Sequence, residues 1–194
     1  MHLLINTVLP DAVFTMLDKN HAVITTEIFT IAGAEYDLFL STLEKFAAKN
    51  ICKIQDLKTI YAVTGPASFT GGRIVTLTLG TLSLVYGIPL VGITLYEYWE
   101  LTGNAYPMAF GINPTEYILK PSSSSEMQLM SANDISGLVP STFHLPRFQL
   151  PTGQTGIQLK HSWDTLKLSS LAARTRTTTI DPLYCKKPNI TLSR

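Results

Sequence analysis

The sequence predicts an α/β protein. Two observations carry that reading. β-rich runs and helix-period segments alternate in the order βββαβαβ over the first half of the chain. In addition, a strand-like Leu57 to Val63 passes through a Gly/Pro/Ser loop straight into an apolar, helix-like stretch from Ile74 to Tyr86.

Taken in order, Leu3 to Val8, Ala12 to Leu17 and Ala22 to Phe29 are β-rich and are separated by Pro10-Asp11 and Asp18-Lys19-Asn20, which reads as a three-strand meander. From Gly33 to Lys49 the apolar positions Tyr36, Phe39, Leu40, Leu43, Phe46 and Ala47 recur at helical spacing, with Asp37, Glu44, Lys45 and Lys49 elsewhere on the wheel. Leu57 to Val63 gives a fourth strand, Gly71 to Tyr86 a second helix and Ile88 to Ile93 a fifth strand. Ile74 to Tyr96 is a run of 23 residues without formal charge, long enough to span a membrane. The Gly87-Ile88-Pro89 break divides it into a buried helix and a buried strand instead, and no membrane span is expected. A short helix from Leu95 to Leu101 leads to a second region, where Tyr106 to Ile112, Glu116 to Lys120 and Glu126 to Met130 read as strands. Pro140 to Gly156 reads as a long loop and Trp163 to Arg174 as a final amphipathic helix. The expected division is residues 1–101 and 102–194.

At 194 residues the chain can bury its own core as one domain or two small lobes. Charged residues make up only 15%, against roughly 25% in typical soluble proteins. Either a compact enzyme-like surface or cover by a partner accounts for that. The net charge of +1 gives no electrostatic footprint for nucleic acid, the local basic cluster being Arg174 and Arg176 with Lys186 and Lys187 nearby. Cys52 and Cys185 show no paired spacing, which disfavours a disulfide framework and a zinc site and points to a reducing cytoplasm. The opening Met1 to Asn6 has no basic region and too short an apolar run for a signal peptide.

The loop Gly65-Pro66-Ala67-Ser68-Phe69-Thr70-Gly71-Gly72-Arg73 places unpaired N–H groups and the positive end of a helix at one point, which suits an anion or a closely approaching backbone. It lacks the Lys-Ser/Thr pair of a P-loop and the third glycine of a dinucleotide fingerprint. Ser68 or Thr70 reads as a helix cap, and Gly71 as a position needing φ > 0 or close backbone contact. Arg73 fits a buried ion pair, a phosphate ligand or an interface anchor. As a nucleophile Ser68 has no histidine nearby in sequence and no Gly-x-Ser-x-Gly elbow. His2, His21, His144 and His161 are too widely spaced for a paired metal motif and read as surface or capping residues, so no metal is expected.

Gly65-Pro66-x-Ser68-Phe69-Thr70-Gly71-x-Arg73-Ile74 resembles the signature of the TsaB (YeaZ) family, matching it at eight of ten positions. Gly87-Ile88-Pro89-Leu90-Val91-Gly92-Ile93-Thr94-Leu95 is similar to the segment that follows the helix in that family, and Glu116-Tyr117 and Pro182-Leu183-Tyr184 align in the second half. The resemblance implies a two-lobe ribonuclease-H-like fold of the actin/sugar-kinase superfamily, here with a short, eroded second lobe. It implies a non-catalytic subunit of bacterial threonylcarbamoyladenosine synthesis on tRNA. Such a chain pairs with its catalytic paralogue TsaD, is joined by the ATPase TsaE, homodimerises when alone and meets tRNA only through the complex. No cofactor of its own is implied. Two departures bear on chemistry: Asn6 stands where the family has an Asp, and Gly111-Ile112-Asn113 where it has Asp-Ala-Arg. An amide supplies no anionic oxygen for Mg²⁺, so autonomous ATP hydrolysis is not expected. The rival readings are a residual nucleotide-binding enzyme of the superfamily and a decayed, self-associating structural homologue; a peptidase, with which such proteins were once grouped, is disfavoured.

The second helix carries an expectation of its own. Ile74, Val75, Leu77, Leu79, Leu82, Leu84, Val85 and Tyr86 leave only the sector Thr76, Gly80 and Ser83 at i, i+4, i+7. A helix apolar nearly all round is covered nearly all round, either by this chain's own elements or by a partner helix against the small residues. As the family pairs through its first two helices, the resemblance implies an interface at Tyr36, Leu40, Leu43, Thr76, Leu79, Gly80 and Ser83.

Overall fold

The computed structural model of the chain describes residues 1–8, 11–30, 38–66, 69–113, 115–136, 142–144 and 168–184. Five strands, β1 (His2–Asn6), β2 (Asp11–Leu17), β3 (Val23–Thr30), β4 (Thr59–Gly65) and β5 (Leu90–Thr94), form one sheet in the order β3-β2-β1-β4-β5. β4 runs parallel to both neighbours, with Leu3 beside Ile60 and Ile60 beside Leu90. Parallel neighbours need crossovers, which α1 (Phe39–Lys49) and α2 (Phe69–Tyr86) supply before and after β4. This order is that of the ribonuclease-H-like lobe, and the fold class is the one expected.

Physical reasons for the elements are local. β1 and β4 are apolar runs buried on both faces, as central parallel strands must be. The turn from β2 to β3 is held by Asp18, whose Oδ1 accepts from the backbone N–H groups of Asn20 and Ala22, both at 2.8 Å. Those bonds, the one from Ala22 foremost, hold its carboxyl below the usual carboxylate range. α1 puts Phe39, Leu43, Phe46 and Ala47 into the core, where Phe14 meets Phe39 and Phe46 edge-on at 6.0 and 5.7 Å between ring centres. α2 adds Val75, Leu79 and Leu82 to the same core and ends at Gly87, whose φ of 69° and bond to the Ser83 carbonyl make an αL cap.

The chain divides into two compact units, one of Met1–Met16, Thr26–Thr94 and Thr175–Arg194, the other of Leu17–Thr25 and Leu95–Arg174. The boundary expected at 101 therefore falls before the short helix α3 (Leu95–Leu101), and the chain returns to the first unit at its end. Thr177 exchanges two backbone hydrogen bonds with Leu90, of 2.8 and 2.9 Å, and the Leu183 N–H donates to the Thr64 carbonyl. Gly92 gives this returning segment room, because a Cβ there would lie 3.1 Å from Thr64 Cγ2 and 3.5 Å from Ile180 Cγ2.

The second unit holds β6 (Met108–Asn113), β7 (Glu116–Lys120), β8 (Gln128–Ser131), α4 (Ala132–Ser136) and β9 (Thr142–His144), with a sheet in the order β8-β7-β6-β9. β9 lies parallel to β6 inside the stretch read as a loop, a correction that follows from pairing rather than from composition. Trp99, buried, packs edge-on against Tyr96, whose hydroxyl donates to the Ile118 carbonyl at 2.8 Å. Burial, then neighbouring Glu100, pushes the Tyr106 phenol up to about 12. Residues 33–37 of the expected first helix, Tyr36 among them, and 163–167 of the expected last helix lie outside the described residues; the described end of the latter is a 3-10 turn at Ser170–Ala173.

Candidate functional site

β4 ends at Gly65, where φ is 148°, a value that favours glycine, and the peptide bond to the buried Pro66 is cis. Residues 67–68 lie outside the description, so the cap expected of Ser68 does too. α2 opens at Phe69, with Thr70 and Arg73 exposed and Gly71 buried in its first turn. The glycine needing φ > 0 at this turn is thus Gly65, while Gly71 is helical, which corrects that part of the expectation.

α2 has two apolar faces. Val75, Leu79 and Leu82 are buried in the core. On the opposite side, at roughly 180° by helical rotation, Leu77 and Leu84 are 69% and 71% exposed; Val85 is exposed to one side of them, and Tyr86 is exposed one turn beyond Leu82 at the end of the inner stripe. The small-residue sector lies between these faces. Thr76 is buried and its hydroxyl donates to the Gly72 carbonyl at 2.9 Å, and the Ser83 hydroxyl is buried without a hydrogen-bond partner among the described residues. Gly80 is buried, yet a Cβ there would meet no atom within 4 Å beyond its chain neighbours and the backbone of its own helix.

The expected interface set is therefore corrected. Leu43 and Leu79 are fully buried core residues and have no free surface to offer, and Thr76 and Ser83 are mostly covered. Leu40 is exposed. Leu77, Leu84, Val85 and Tyr86 were not singled out for the interface, because a wheel that is apolar on both sides does not say which side meets the sheet.

Between the C-terminal ends of α1 and α2 lies a cleft of about 430 Å³, walled by Glu44, Ala48 and Ile51 on one side and Leu82 and Tyr86 on the other. Cys52 at its base is a free, buried thiol whose pKa burial pushes up. Ile51 is 96% exposed at a φ of 52°. It closes a Schellman turn, in which Cys52 N–H donates to the Ala47 carbonyl and Ile51 N–H to that of Ala48, both at 3.0 Å.

The two asparagines occupy different settings. Asn6, fully buried at the end of β1, accepts the Val8 N–H on Oδ1 at 3.0 Å, and its Nδ2 has no partner among the described residues. Asn113 closes the turn from β6 to β7, its Oδ1 accepting from both the N–H and the hydroxyl of Thr115 at 2.9 Å while its Nδ2 donates to Glu116. Neither presents a carboxylate. Among the described residues no three His, Cys, Asp or Glu side chains are grouped to hold a metal ion. His2 and His21 are buried rather than at the surface, His2 lying 6.0 Å from the Tyr61 ring. No described helix is long and apolar enough to cross a membrane. Arg174 of the basic cluster is paired with Glu97, and Lys186 and Lys187 lie outside the described residues.

No family model matches the sequence, and no curated protein matches it. Solved structures do. A Pseudomonas aeruginosa protein described as similar to the peptidase YeaZ superposes with a TM-score of 0.69 at 12% identity, covering 95% of this chain and 99% of that one. YeaZ from Pseudomonas aeruginosa gives a TM-score of 0.61 at 12% identity over 89% of this chain and 91% of its own. At that identity the likeness establishes a common fold.

Proposed function

We propose that this chain is a TsaB-type, non-catalytic subunit of a cytoplasmic tRNA threonylcarbamoyladenosine machinery, pairing with a catalytic TsaD-type paralogue through the outward face of α2 and its neighbour α1. The observation that carries the reading is the second apolar face of α2. Leu77 and Leu84, a spacing of two helical turns, stand in water opposite the buried stripe, and Gly80 beside them leaves room for close approach. The signature at Gly65 to Ile74 and the fold held in common with YeaZ support it. The amide at Asn6, where metal and phosphate chemistry calls for a carboxylate, favours a supporting role over a catalytic one.

Co-expression with the catalytic paralogue tests this. The wild-type chain is expected to co-purify with it in fixed stoichiometry, and Leu77→Glu/Leu84→Glu to keep a native circular-dichroism spectrum while losing the partner, because a charge pressed into an apolar interface stays unpaired. Retention of the partner by the folded double variant, or no capture by the wild type, would sink the proposal. The isolated chain is also expected to show no Mg²⁺-dependent ATP hydrolysis.

A further inference from the structure

The two edges of the five-stranded sheet are treated differently. The outer edge of β5 is met by the returning chain, where Thr177 and Leu90 exchange backbone hydrogen bonds. The outer edge of β3 has no described strand beside it. Exposed edges are ordinarily guarded by Pro, Lys, a bulge or an inward charge, or are kept short. β3 is eight residues long, VITTEIFT, with neither Pro nor Lys. Its single charge, Glu27, points inward on the face it shares with Phe29 and is neutralised there by Lys49 of α1 at 2.9 Å, so the inward charge that would guard the edge is paired within the chain. On the face away from that pair, Ile24 and Ile28 are 51% and 59% exposed, with the exposed Thr26 between them.

We propose that this edge pairs with β3 of a second copy of the chain, antiparallel, about a two-fold axis through Thr26. The occupant follows from the strand's own sequence. An isologous antiparallel pair must place each residue opposite a tolerable image of the strand itself. Centred on Thr26, the register sets Thr26 against Thr26, Ile24 against Ile28 and Thr25 against Glu27. Thr–Thr and β-branched pairs are among the favourable cross-strand combinations, and like charges do not face each other. The main chain supplies the remaining bonds, continuing the sheet from one copy into the next. A foreign extended peptide would find the same backbone but no reason for the Ile-x-Thr-x-Ile symmetry. This surface lies on β3 and does not depend on the α2 face.

Single-cysteine cross-linking reads the register directly. In Thr26→Cys the two introduced residues face each other with Cα atoms about 4.5–5.5 Å apart, inside disulfide range. In Ile24→Cys or Ile28→Cys alone, like residues are offset by four positions, roughly 13 Å along the strand. Mild oxidation of the full chain, with wild type as the background for its native cysteines, should link Thr26→Cys about tenfold faster than either single variant. A mixture of Ile24→Cys with Ile28→Cys should link across the pair. The Thr26→Cys dimer should persist in a Leu84→Glu background, which isolates it from association through α2. Equal rates for all three cysteines, or Thr26→Cys no faster than wild type, would overturn the proposal. As a second readout, in the same Leu84→Glu background Ile24→Lys/Ile28→Lys should lower the dimer fraction in sedimentation velocity while leaving circular dichroism unchanged; an unchanged dimer fraction would also count against β3.

Discussion

α1 and α2 pack into the same core, yet they meet water in opposite ways. α1 buries Phe39, Leu43, Phe46 and Ala47 and turns Glu44, Lys45 and Lys49 outward, with Lys49 bridged to Glu27. α2 buries Val75, Leu79 and Leu82 and turns Leu77, Leu84 and Val85 outward, with Arg73 as its one charge. The first is the amphipathic pattern of a surface helix and the second that of a helix covered on both sides. Both helices obey the same folding physics on their inner face. What separates them is the outer face, where folding alone does not require apolar residues.

The largest effect that separates the two faces of α2 is a truncation pair. Leu79→Ala leaves a cavity in the core and is expected to cost about 2–5 kcal/mol. Leu84→Ala removes a side chain already in water and is expected to stay within about 0.5 kcal/mol of wild type. Urea unfolding of the two variants measures the contrast. Similar losses for both would mean that the outer face is folded against this chain after all, and the difference between α1 and α2 would vanish.

Next in size is Ile51, at the end of α1. Its αL backbone suits glycine, and a β-branched residue there carries strain of about 1–2 kcal/mol. Ile51→Gly is expected to stabilise the isolated chain by about 1 kcal/mol, read as a higher urea midpoint. Because Ile51 stands almost fully in water at the mouth of the cleft beside Tyr86, the same change should weaken capture of the catalytic paralogue. Strain of this kind is kept where something else depends on it. A variant that is stabilised and assembles as well as wild type would show the isoleucine to be an accident of α1 and leave α2 as the sole assembly surface.

The sequence made much of the first unit legible. The β-rich runs between turn residues at β1 to β3, the helical period that ends α1 at Lys49 and the Gly87-Ile88-Pro89 break are local signals, and the ends of those strands, the end of α1 and the end of α2 fall within two or three residues of where they are expected. The orientation of α2 was not legible. Leu77 and Leu79 are equally apolar, and only the position of the sheet decides that Leu79 is core and Leu77 is surface. β9 was missed because three residues acquire strand character solely by pairing with β6. The return of Thr177 to Leu90, which places the end of the chain back in the first unit, joins residues 87 positions apart and leaves no local trace. At the candidate site, Gly65 was within the signature. The αL conformation of Ile51 was invisible, since nothing local to a β-branched residue forecasts it.

The smallest effect is the most discriminating for the helix comparison, because it changes one carbon. Glycine within a helix costs about 0.5–1 kcal/mol relative to alanine through backbone entropy. At Gly80 a methyl group would meet no atom within 4 Å beyond its chain neighbours and the backbone of its own helix. Gly80→Ala is therefore expected to stabilise the isolated protein by about 0.5–1 kcal/mol, measurable as a shift in urea midpoint with an unchanged slope. If a facing helix uses Gly80 to bring its backbone close, the same methyl will hold the two axes apart and loosen packing along Leu77 and Leu84. Higher stability alone with weaker capture of the catalytic paralogue is the expected pair of outcomes. Higher stability with capture unchanged would leave the outer face of α2 in contact with its partner but remove close approach at Gly80 as the reason. A loss of stability would mean that the space beside Gly80 is filled by this chain, and α2 would then resemble α1 in having one partner only, its own core.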